Sequence, residues 1–233
     1  MSPFLKKRAA HLTEKMEDED CDKDLLFNTY DQFSQVNKLI SRWNSLFHAY
    51  IAPLAKKSKG LRILDLGCGG GDICLKFSAW AKESGIHVSI TGIDPDPRAF
   101  EYLEKLDTPD NVEFRKARLK DLIIADEKFD VVISNHLLHH LTPEEIQIIC
   151  IKTEKIATKL ILFNDIRRSE LGFVAFGLFA PAMYRSSFIV RDGFTSIRRS
   201  YNYKELKLIA PERWKIKKLF PFRLLLMLDK TSS

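Results

Sequence analysis

The sequence has few cysteines, and their placement argues against two common ways of stabilising a small protein. The 233 residues contain four cysteines, and no two of them form a CxxC pair. This pattern favours neither a disulfide framework nor a structural zinc site. We therefore expect no metal centre in this protein.

Long apolar runs are also missing. The first twenty residues lack the apolar segment of a secretory signal. The most apolar stretch, residues 171–184, contains a proline and is too short to span a bilayer. The simplest localisation is therefore cytoplasmic, and a peripheral contact between residues 171–184 and a membrane stays open.

No single sign of charge dominates the chain. The formal net charge is +6, with an acidic run at residues 17–24 and a basic run at residues 213–218. We interpret both runs as solvated faces, which disfavours nucleic acid as a partner. The length and the 45% hydrophobic content fit one large α/β domain with a substantial core, or at most two small domains.

A helical region is predicted at residues 25–54, and it is ended by Pro53 and residues 56–60. After it, short apolar segments alternate with helical segments through much of the chain. This alternation predicts an α/β fold, namely a Rossmann-like doubly wound parallel sheet with helices on both faces. The predicted strands are residues 61–66, 88–93, 112–115, 129–134 and 160–163, and the predicted helices are residues 72–82, 97–106 and 143–157.

The chain changes character near residue 166. We predict an apolar helix at residues 169–184, a loop or short strand at 187–200 and a helix at 203–209. Two strands follow, 214–220 and 222–228, so close together that they must be antiparallel neighbours.

A glycine loop follows the first predicted strand. Residues 64–72 read LDLGCGGGD, with four glycines in six positions. In a doubly wound sheet such a loop forms a ligand site at the carboxyl edge of the strands. Asp94, in TGIDPDP, ends the second strand, where its carboxylate can accept hydrogen bonds from both ribose hydroxyls. Together the two features predict an adenosine-like ligand.

The residue types around the loop indicate which nucleotide-like cofactor it can bind. The dinucleotide pattern GxGxxG requires glycine where this chain has Asp72, whose carboxylate would repel a pyrophosphate. The phosphate loop GxxxxGK[ST] is absent. S-adenosylmethionine (SAM) carries no phosphate, and its sulfonium and ammonium groups are cations. Asp65 and Asp72 suit that ligand.

Three segments, ILDLGCGGGD, GIDPD and FDVVISNHLLHHL, occur in an order and spacing that resemble class I SAM-dependent methyltransferases. The resemblance covers about residues 60–165 and implies a seven-stranded sheet whose last strand is antiparallel. It also implies cofactor-binding positions: Gly67, Cys68 and Gly69 along the methionine part, Asp94 at the ribose, Pro95 beside the adenine, and Asn135 with His136 on the methionine side.

One feature departs from the family pattern, at the adenine contact, and a second adds segments before and within the core. After the third strand the family often has an acid near the adenine amino group, whereas this chain has Ala117-Arg118-Leu119. Only the backbone of Arg118 and Leu119 remains for that contact. The resemblance also implies an N-terminal helical lid, residues 1–57, over a core of residues 58–233 that carries a substrate-cover insertion around 166–202. In the lid, Arg42 is either a partner of the methionine carboxylate or a surface arginine.

The absence of certain motifs disfavours several classes of methyl acceptor. No Asn/Asp-Pro-Pro-aromatic run, glutamate pair or Pro-Cys nucleophile occurs near the expected methyl group. The segments NDIRRS and VRDGFTSIRRSYNYKEL resemble bacterial methyltransferases of polyketide, phenolic and quinone-like products. That resemblance implies a small aromatic or apolar acceptor, methylated on oxygen or, less favourably, on carbon. An RNA-modifying methyltransferase and a non-catalytic SAM-binding regulator are the alternatives.

Two sets of residues are candidates for the acceptor side. His139 and His140 follow the fourth strand and Asp165 ends the fifth, so the general base is sought among these three. The apolar helix offers side chains that suit a flat acceptor or simply form core. They are Phe173, Phe176, Phe179, Met183 and Tyr184.

Overall fold

The structure, a computed structural model, describes residues 4–231, so the outer ends of the predicted ranges 1–57 and 58–233 lie outside the described residues. A seven-stranded sheet in the order β3-β2-β1-β4-β5-β7-β6 forms its centre. The strands are β1 Leu61–Leu66, β2 Val88–Asp94, β3 Val112–Lys116, β4 Phe129–Asn135, β5 Ala157–Ile166, β6 Lys215–Leu219 and β7 Arg223–Asp229. The first five are parallel and β7 is antiparallel to its neighbours, which confirms the predicted fold class.

Helices cover both faces of the sheet and its carboxyl edge. They are α1 Lys23–Ile40, α2 Trp43–Leu46, α3 Ala52–Lys56, α4 Asp72–Glu83, α5 Pro97–Leu103, α6 Leu119–Ile124, α7 Pro143–Ile156, α8 Glu170–Met183, α9 Ile189–Arg199 and α10 Tyr203–Ile209. The N-terminus of α7 shows how the sequence defines such a boundary. Thr142 and Glu145 form a capping box around Pro143, the first helical residue.

The hydrophobic core has two main parts, one on each face of the sheet. On one face Trp43, Phe47 and Phe77 pack together, and on the other Phe163 stacks on Trp214 with ring centroids 5.5 Å apart. Strand side chains alternate between the two parts, so β1 and β5 are buried almost throughout. The sheet is thereby a rigid support for the loops at its carboxyl edge.

The prediction of a loop or short strand at residues 187–200 is wrong, because α9 occupies most of that range. The buried face of α9 includes the polar residues Asp192, Ser196 and Arg199 beside Ile189 and Ile197. These positions have helical spacing, but their polarity conceals the apolar periodicity from which a helix is normally recognised.

The structure of the helical region 25–54 also differs in detail from the prediction. The chain breaks after α1 at Arg42, whose φ of 62° lies in the left-handed region. Pro53 does not end the region, because α3 continues directly from a π-helical turn, Phe47–Ile51, and extends to Lys56. The short helix α6 is a further element that the sequence reading did not include.

The reversal of β7 brings its first residue to the edge at which the parallel strands end. Asn135 of β4 pairs in register with Asn164 of β5, and Ile166 of β5 pairs with Arg223 of β7. The glycine loop, Asp94 and Arg223 therefore lie along one edge of the sheet. Among residues 4–231 no helix is long and apolar enough to cross a membrane.

Candidate active site

A cavity of about 790 Å³ opens at the carboxyl edge of the sheet. Its size is typical of small-molecule sites, which range from about 300 to 1,000 Å³. The glycine loop and the ends of β2 and β4 line one side. The start of β7, the helices α1, α8 and α9, and residues 14–17 of the N-terminal segment line the remainder.

The glycines of the loop divide into two pairs by what faces them. A Cβ at Gly70 would lie 2.7 Å from Cβ of Tyr30, and one at Gly71 would lie 2.5 Å from Cζ of Phe114. These two glycines let α1 and the sheet pack against the loop. Gly67 and Gly69 have no such neighbour, because their nearest contacts would be 3.9 and 3.7 Å away. Their open side faces the cavity.

Asp94 lies at this end of the cavity as expected. Its carboxylate accepts hydrogen bonds from the backbone N–H of Gly69, at 3.0 Å, and from that of Asp96, at 2.9 Å. Burial raises the pKa of Asp94 above its ordinary value. Pro95 and Cys68 line the cavity beside it. The carboxylate is fixed in place by the loop that a ribose would contact.

The charge of this end fits a cationic ligand. Asp65 is buried and lines the cavity, and its Oδ1 has no hydrogen-bond partner among residues 4–231. Burial raises the pKa of Asp65 to about 7. A buried carboxylate oxygen without a partner is costly, and a sulfonium or ammonium group beside it removes that cost. The residues therefore fit SAM.

Three of the predicted cofactor-binding residues do not line the cavity. Arg42 is exposed at the break after α1, where its backbone is left-handed, and it does not line the cavity. Arg118 is exposed, and Leu119, which is half-buried, packs against the core beneath the sheet. The adenine contact through these two residues therefore stays a prediction that the cavity does not support.

A chain of polar side chains crosses the centre of the cavity. Asn37 of α1 donates to Asp72 at 3.1 Å and accepts from Nδ2 of Asn135 at 3.0 Å. Nη2 of Arg223 donates to Oδ1 of Asn135 at 2.7 Å. His136 lies beside this chain, and burial followed by the nearby Arg223 holds the pKa of its imidazole well below the usual range. His136 is therefore neutral.

His139 is enclosed by two carboxylates. Its Nδ1 donates to Oδ1 of Asp165 at 2.7 Å, and its Nε2 lies 3.2 Å from Oε1 of Glu14. All three side chains are buried. Burial alone would lower the pKa of His139, but Asp165 and Glu14 outweigh it and raise the pKa to about 9. His139 is thus an imidazolium that links the N-terminal segment to β5, and it has no free nitrogen to act as a base.

His140, the next residue, has a different environment. Its Nδ1 is hydrogen-bonded to Oε1 of Glu17, and its Nε2 has no hydrogen-bond partner within residues 4–231. Glu17 also receives Nη1 of Arg199 at 2.9 Å. Although burial opposes it, contact with His140 and Arg199 lowers the pKa of Glu17 to about 2. Of the three predicted bases, His140 is therefore the one that lines the cavity with an available nitrogen.

Two groups of possible metal ligands occur in the described part of the chain. They are Glu14, His139 and His140, and His136, His139 and Asp165, each with donor atoms within 4.8 Å of one another. Both include His139, whose two ring nitrogens already contact Asp165 and Glu14. We assign no metal to either group.

The far side of the cavity is apolar. Phe176, Phe179, Met183 and Tyr184 of the predicted cover line it. Phe173 does not, because its ring packs between Phe4 and Phe194, with ring centroids 5.4 and 4.7 Å away. The polar end and this apolar chamber belong to one continuous space.

Four functional candidates were missed by sequence reasoning: Glu14, Glu17, Asp192 and Arg223. The three acids lie in segments that look like ordinary solvated surface. Arg223 had a readable signal, because it is a lone charge at the start of the apolar run LLLML. A charge that opens a buried strand needs a partner, which marks the position for attention.

The central part of the chain matches a known family. Residues 63–155 match the family described as Methyltransferase domain. This match, the ordered motifs and the topology of the sheet support a class I SAM-dependent methyltransferase domain in this part of the chain, for which SAM is the cofactor.

The chain is also similar to individual curated proteins. It is 28% identical over 144 residues to the ubiquinone biosynthesis O-methyltransferase of Pasteurella multocida (strain Pm70), covering 57% of each chain. It is 40% identical over 95 residues to the arsenite methyltransferase of Halobacterium salinarum, covering 39% of this chain and 23% of that protein. The chain spans about half the length of the ubiquinone biosynthesis relatives it matches.

Solved structures share the fold at low sequence identity. The plantazolicin methyltransferase BpumL, in complex with a pentazolic desmethylPZN analog and SAH, has a TM-score of 0.60 at 15% identity, covering 89% of this chain and 95% of that one. Magnesium protoporphyrin IX methyltransferase (ChlM) from Synechocystis PCC 6803 has a TM-score of 0.52 at 15% identity, covering 86% and 84%. These similarities establish the fold alone.

We predict that replacing Asp94 by Asn weakens the binding of S-adenosylhomocysteine about 10- to 100-fold, since hydrogen bonds to a charged group contribute roughly 1.5–3 kcal/mol. Isothermal titration measures the affinity, and a thermal melt checks folding. Asp110→Asn, at an exposed acid away from the cavity, is the matched control. An unchanged affinity in Asp94→Asn excludes the ribose role.

We predict that the protein loses stability between about pH 6.5 and 9 as His139 loses its proton. The folded pKa of about 9 lies above the unfolded value of about 6.5, so the stabilisation is complete below pH 6.5 and disappears as the pH rises through 9. The contribution of His139 to the free energy of unfolding is on the order of 3 kcal/mol. Urea unfolding at a series of pH values measures the loss.

The same ion network also makes the stability of the protein fall at acidic pH, and the pKa of His139 can be measured directly. Burial opposes ionisation of Glu14 and Asp165, but contact with His139 lowers both pKa values, so their share is present above about pH 4.5 and is lost on acidification. An NMR titration of the imidazoles compares His139 with the exposed His48. A titration of His139 near or below pH 6.5 would contradict the ion network.

Proposed function

We propose that this protein transfers a methyl group from SAM to an oxygen of a small aromatic or quinone-like acceptor. The observation that carries the proposal is the single cavity that joins the glycine loop and Asp94 to an apolar chamber under α8. When bound, SAM supplies an electrophilic methyl group. Alignment of the two reactants in one enclosed space accounts for much of the catalysis in such a transfer.

The N-terminal segment closes the cavity as a lid. The backbone N–H groups of Lys15 and Met16 donate to Asp192 of α9, at 2.7 and 2.9 Å. Nη2 of Arg98 donates to the carbonyl of Met16 at 3.0 Å. With the contact between Glu14 and His139, these bonds hold the segment across the opening and exclude water from the site.

His140 is the general base in this proposal. Glu17 holds its Nδ1–H, which fixes the tautomer and leaves the Nε2 lone pair for a phenolic proton. The arrangement follows the logic of carboxylate-oriented imidazole bases in hydrolytic enzymes. His139 and Asp165 act one step further away, by anchoring the turn that carries His140.

The acceptor is assigned from the chamber and from the relatives. Phe176, Phe179 and Tyr184 present flat apolar surfaces to the space beyond the loop. Several of the matched curated proteins are named ubiquinone biosynthesis O-methyltransferases. A base beside the chamber favours an oxygen that must lose a proton, and transfer to carbon is the lesser candidate.

The RNA-modifying alternative receives less support. Of the adjacent basic residues Arg198 and Arg199, Arg199 is buried against Glu17, so it is not presented to a nucleic acid. The basic side chains of β6 lie on the edge strand of the sheet and do not line the cavity. The regulator alternative requires a damaged cofactor site, whereas the loop and Asp94 are intact.

We predict that replacing His140 by Gln lowers kcat about 10²- to 10⁴-fold, because a positioned base contributes that factor. The affinity for S-adenosylhomocysteine is expected to stay unchanged. The assay mixes SAM with a panel of catechols and hydroquinones and detects methyl ethers by mass spectrometry. His87→Gln, at an exposed histidine, is the control. Failure of the wild type to methylate any member refutes the proposed acceptor class, and an active His140→Gln refutes the base.

We further propose that the outer face of α8 contacts a membrane from which an apolar acceptor is taken. Leu171, Val174 and Leu178 lie on one helical face, and Leu178 is 71% exposed. Phe179 and Met183 are also exposed, and they line the cavity. An exposed apolar face beside the mouth of an apolar chamber suits an interfacial helix, and the exposed Arg185 follows it.

We predict that Leu178→Glu reduces co-sedimentation with vesicles containing about one third anionic lipid at least several-fold, since it places a charge in the apolar face. Leu208→Glu changes a leucine that is 87% exposed on α10 and serves as the matched control. Equal sedimentation of both variants and the wild type would exclude α8 as the contact.

A further inference from the structure

Arg223 is a buried cation whose role neither the family match nor the proposed methyl transfer assigns. It is the first residue of β7 and is only 1% exposed, yet it lines the cavity. Arginine is almost never fully buried unless it is paired. The position of Arg223 therefore calls for an anion.

The described part of the chain provides no such anion in contact with Arg223. Within residues 4–231 no carboxylate lies in ion-pair contact with Arg223, whose partners are all neutral. Its Nε donates to Oδ1 of Asn164 at 3.0 Å, and its Nη2 donates to Oδ1 of Asn135 at 2.7 Å. The carboxylate that acts on it electrostatically, Asp165, has both oxygens engaged by His139 and the backbone of Ile166.

One edge of the guanidinium remains available. Nη1 has a single neighbour, Nε2 of His136, at 3.3 Å. His136 Nε2 also lies 3.2 Å from Oδ1 of Asn37, and a neutral imidazole nitrogen cannot donate to Asn37 and accept from Arg223 at once. If the Nε2 proton faces Asn37, then Nη1 has no acceptor among residues 4–231. Burial accordingly lowers the pKa of Arg223 to about 10.

The surroundings of this edge favour an anionic ligand. Arg167 also lines the cavity, and its guanidinium lies 5.9 Å from the ring centroid of Phe222, the residue before Arg223. Two arginines and a neutral histidine thus face the same space. The acids of the cavity are either at the loop end or already bound, as Glu14 and Glu17 are.

We propose that Arg223 binds an acidic group of the acceptor, a carboxylate or a phenolate, through its Nη1 edge. This inference rests on the proposed function and specifies its substrate class. The order of the strands separates Arg223 from the ribose end of the cavity: β7 is four positions along the sheet from β2, which carries Asp94. At about 4.8 Å for each step, the two strands are roughly 19 Å apart.

The test compares two ligands that share a ring and differ by one carboxylate. With saturating S-adenosylhomocysteine, we expect the wild type to bind 3,4-dihydroxybenzoate at least 10-fold more tightly than catechol in isothermal titration. In Arg223→Gln this ratio is expected to fall to about one, and in Arg223→Lys to an intermediate value. Arg213→Gln, at an exposed arginine outside the cavity, should keep the wild-type ratio.

Other outcomes overturn the inference. Equal binding of the two ligands by the wild type, or binding of neither, shows that the site does not select an acid. A loss of S-adenosylhomocysteine affinity in Arg223→Gln with an unchanged acceptor ratio assigns the arginine to the methionine carboxylate instead. Thermal melts of both variants confirm folding. The proposed function fails separately, if the wild type methylates no acceptor of the catechol and hydroquinone panel.

Discussion

The contact between His139 and its two carboxylates is the interaction on which the site depends. Glu14 belongs to the N-terminal segment and Asp165 to β5, so the imidazolium joins the segment to the sheet. Without it, two carboxylates would be buried without a counter-ion, which is strongly unfavourable. With it, Glu17 is placed next to His140, and the segment becomes a wall of the cavity. The geometry of His140, the proposed base, is thus a consequence of an ion network centred on the neighbouring histidine.

Acidic and basic side chains line different parts of the cavity, so they favour different ligand groups. Asp65, Asp72 and Asp94 lie at the loop end, where a sulfonium and an ammonium group would be stabilised. Arg223 is separated from Asp72 by the side chains of Asn37 and Asn135, and Arg167 also lines the cavity. Cationic and anionic groups are therefore directed to different parts of one space before any detailed contact forms. The apolar surface of α8 lies on the far side, where it excludes water.

The fold was predictable because its signals are local and repeated. Each strand is an apolar run, and the glycine loop and Asp94 mark the strand ends, so the parallel order and the cofactor end follow. The segment 187–200 was misread because Asp192, Ser196 and Arg199 are buried against polar partners from distant parts of the chain. Such pairings between residues more than 170 positions apart leave no local pattern.

The two adjacent histidines show why spacing alone did not separate the candidate bases. Both lie in the short 3₁₀ turn Leu138–His140, and their rings are in contact, with centroids 4.1 Å apart. The buried ring of His139 meets Asp165 and Glu14, whereas the ring of His140 is partly exposed and meets Glu17. Sequence proximity to the expected methyl group treats them as equivalent. Only the partners of each imidazole, which come from distant parts of the chain, assign His139 to the ion network and leave His140 as the proposed base.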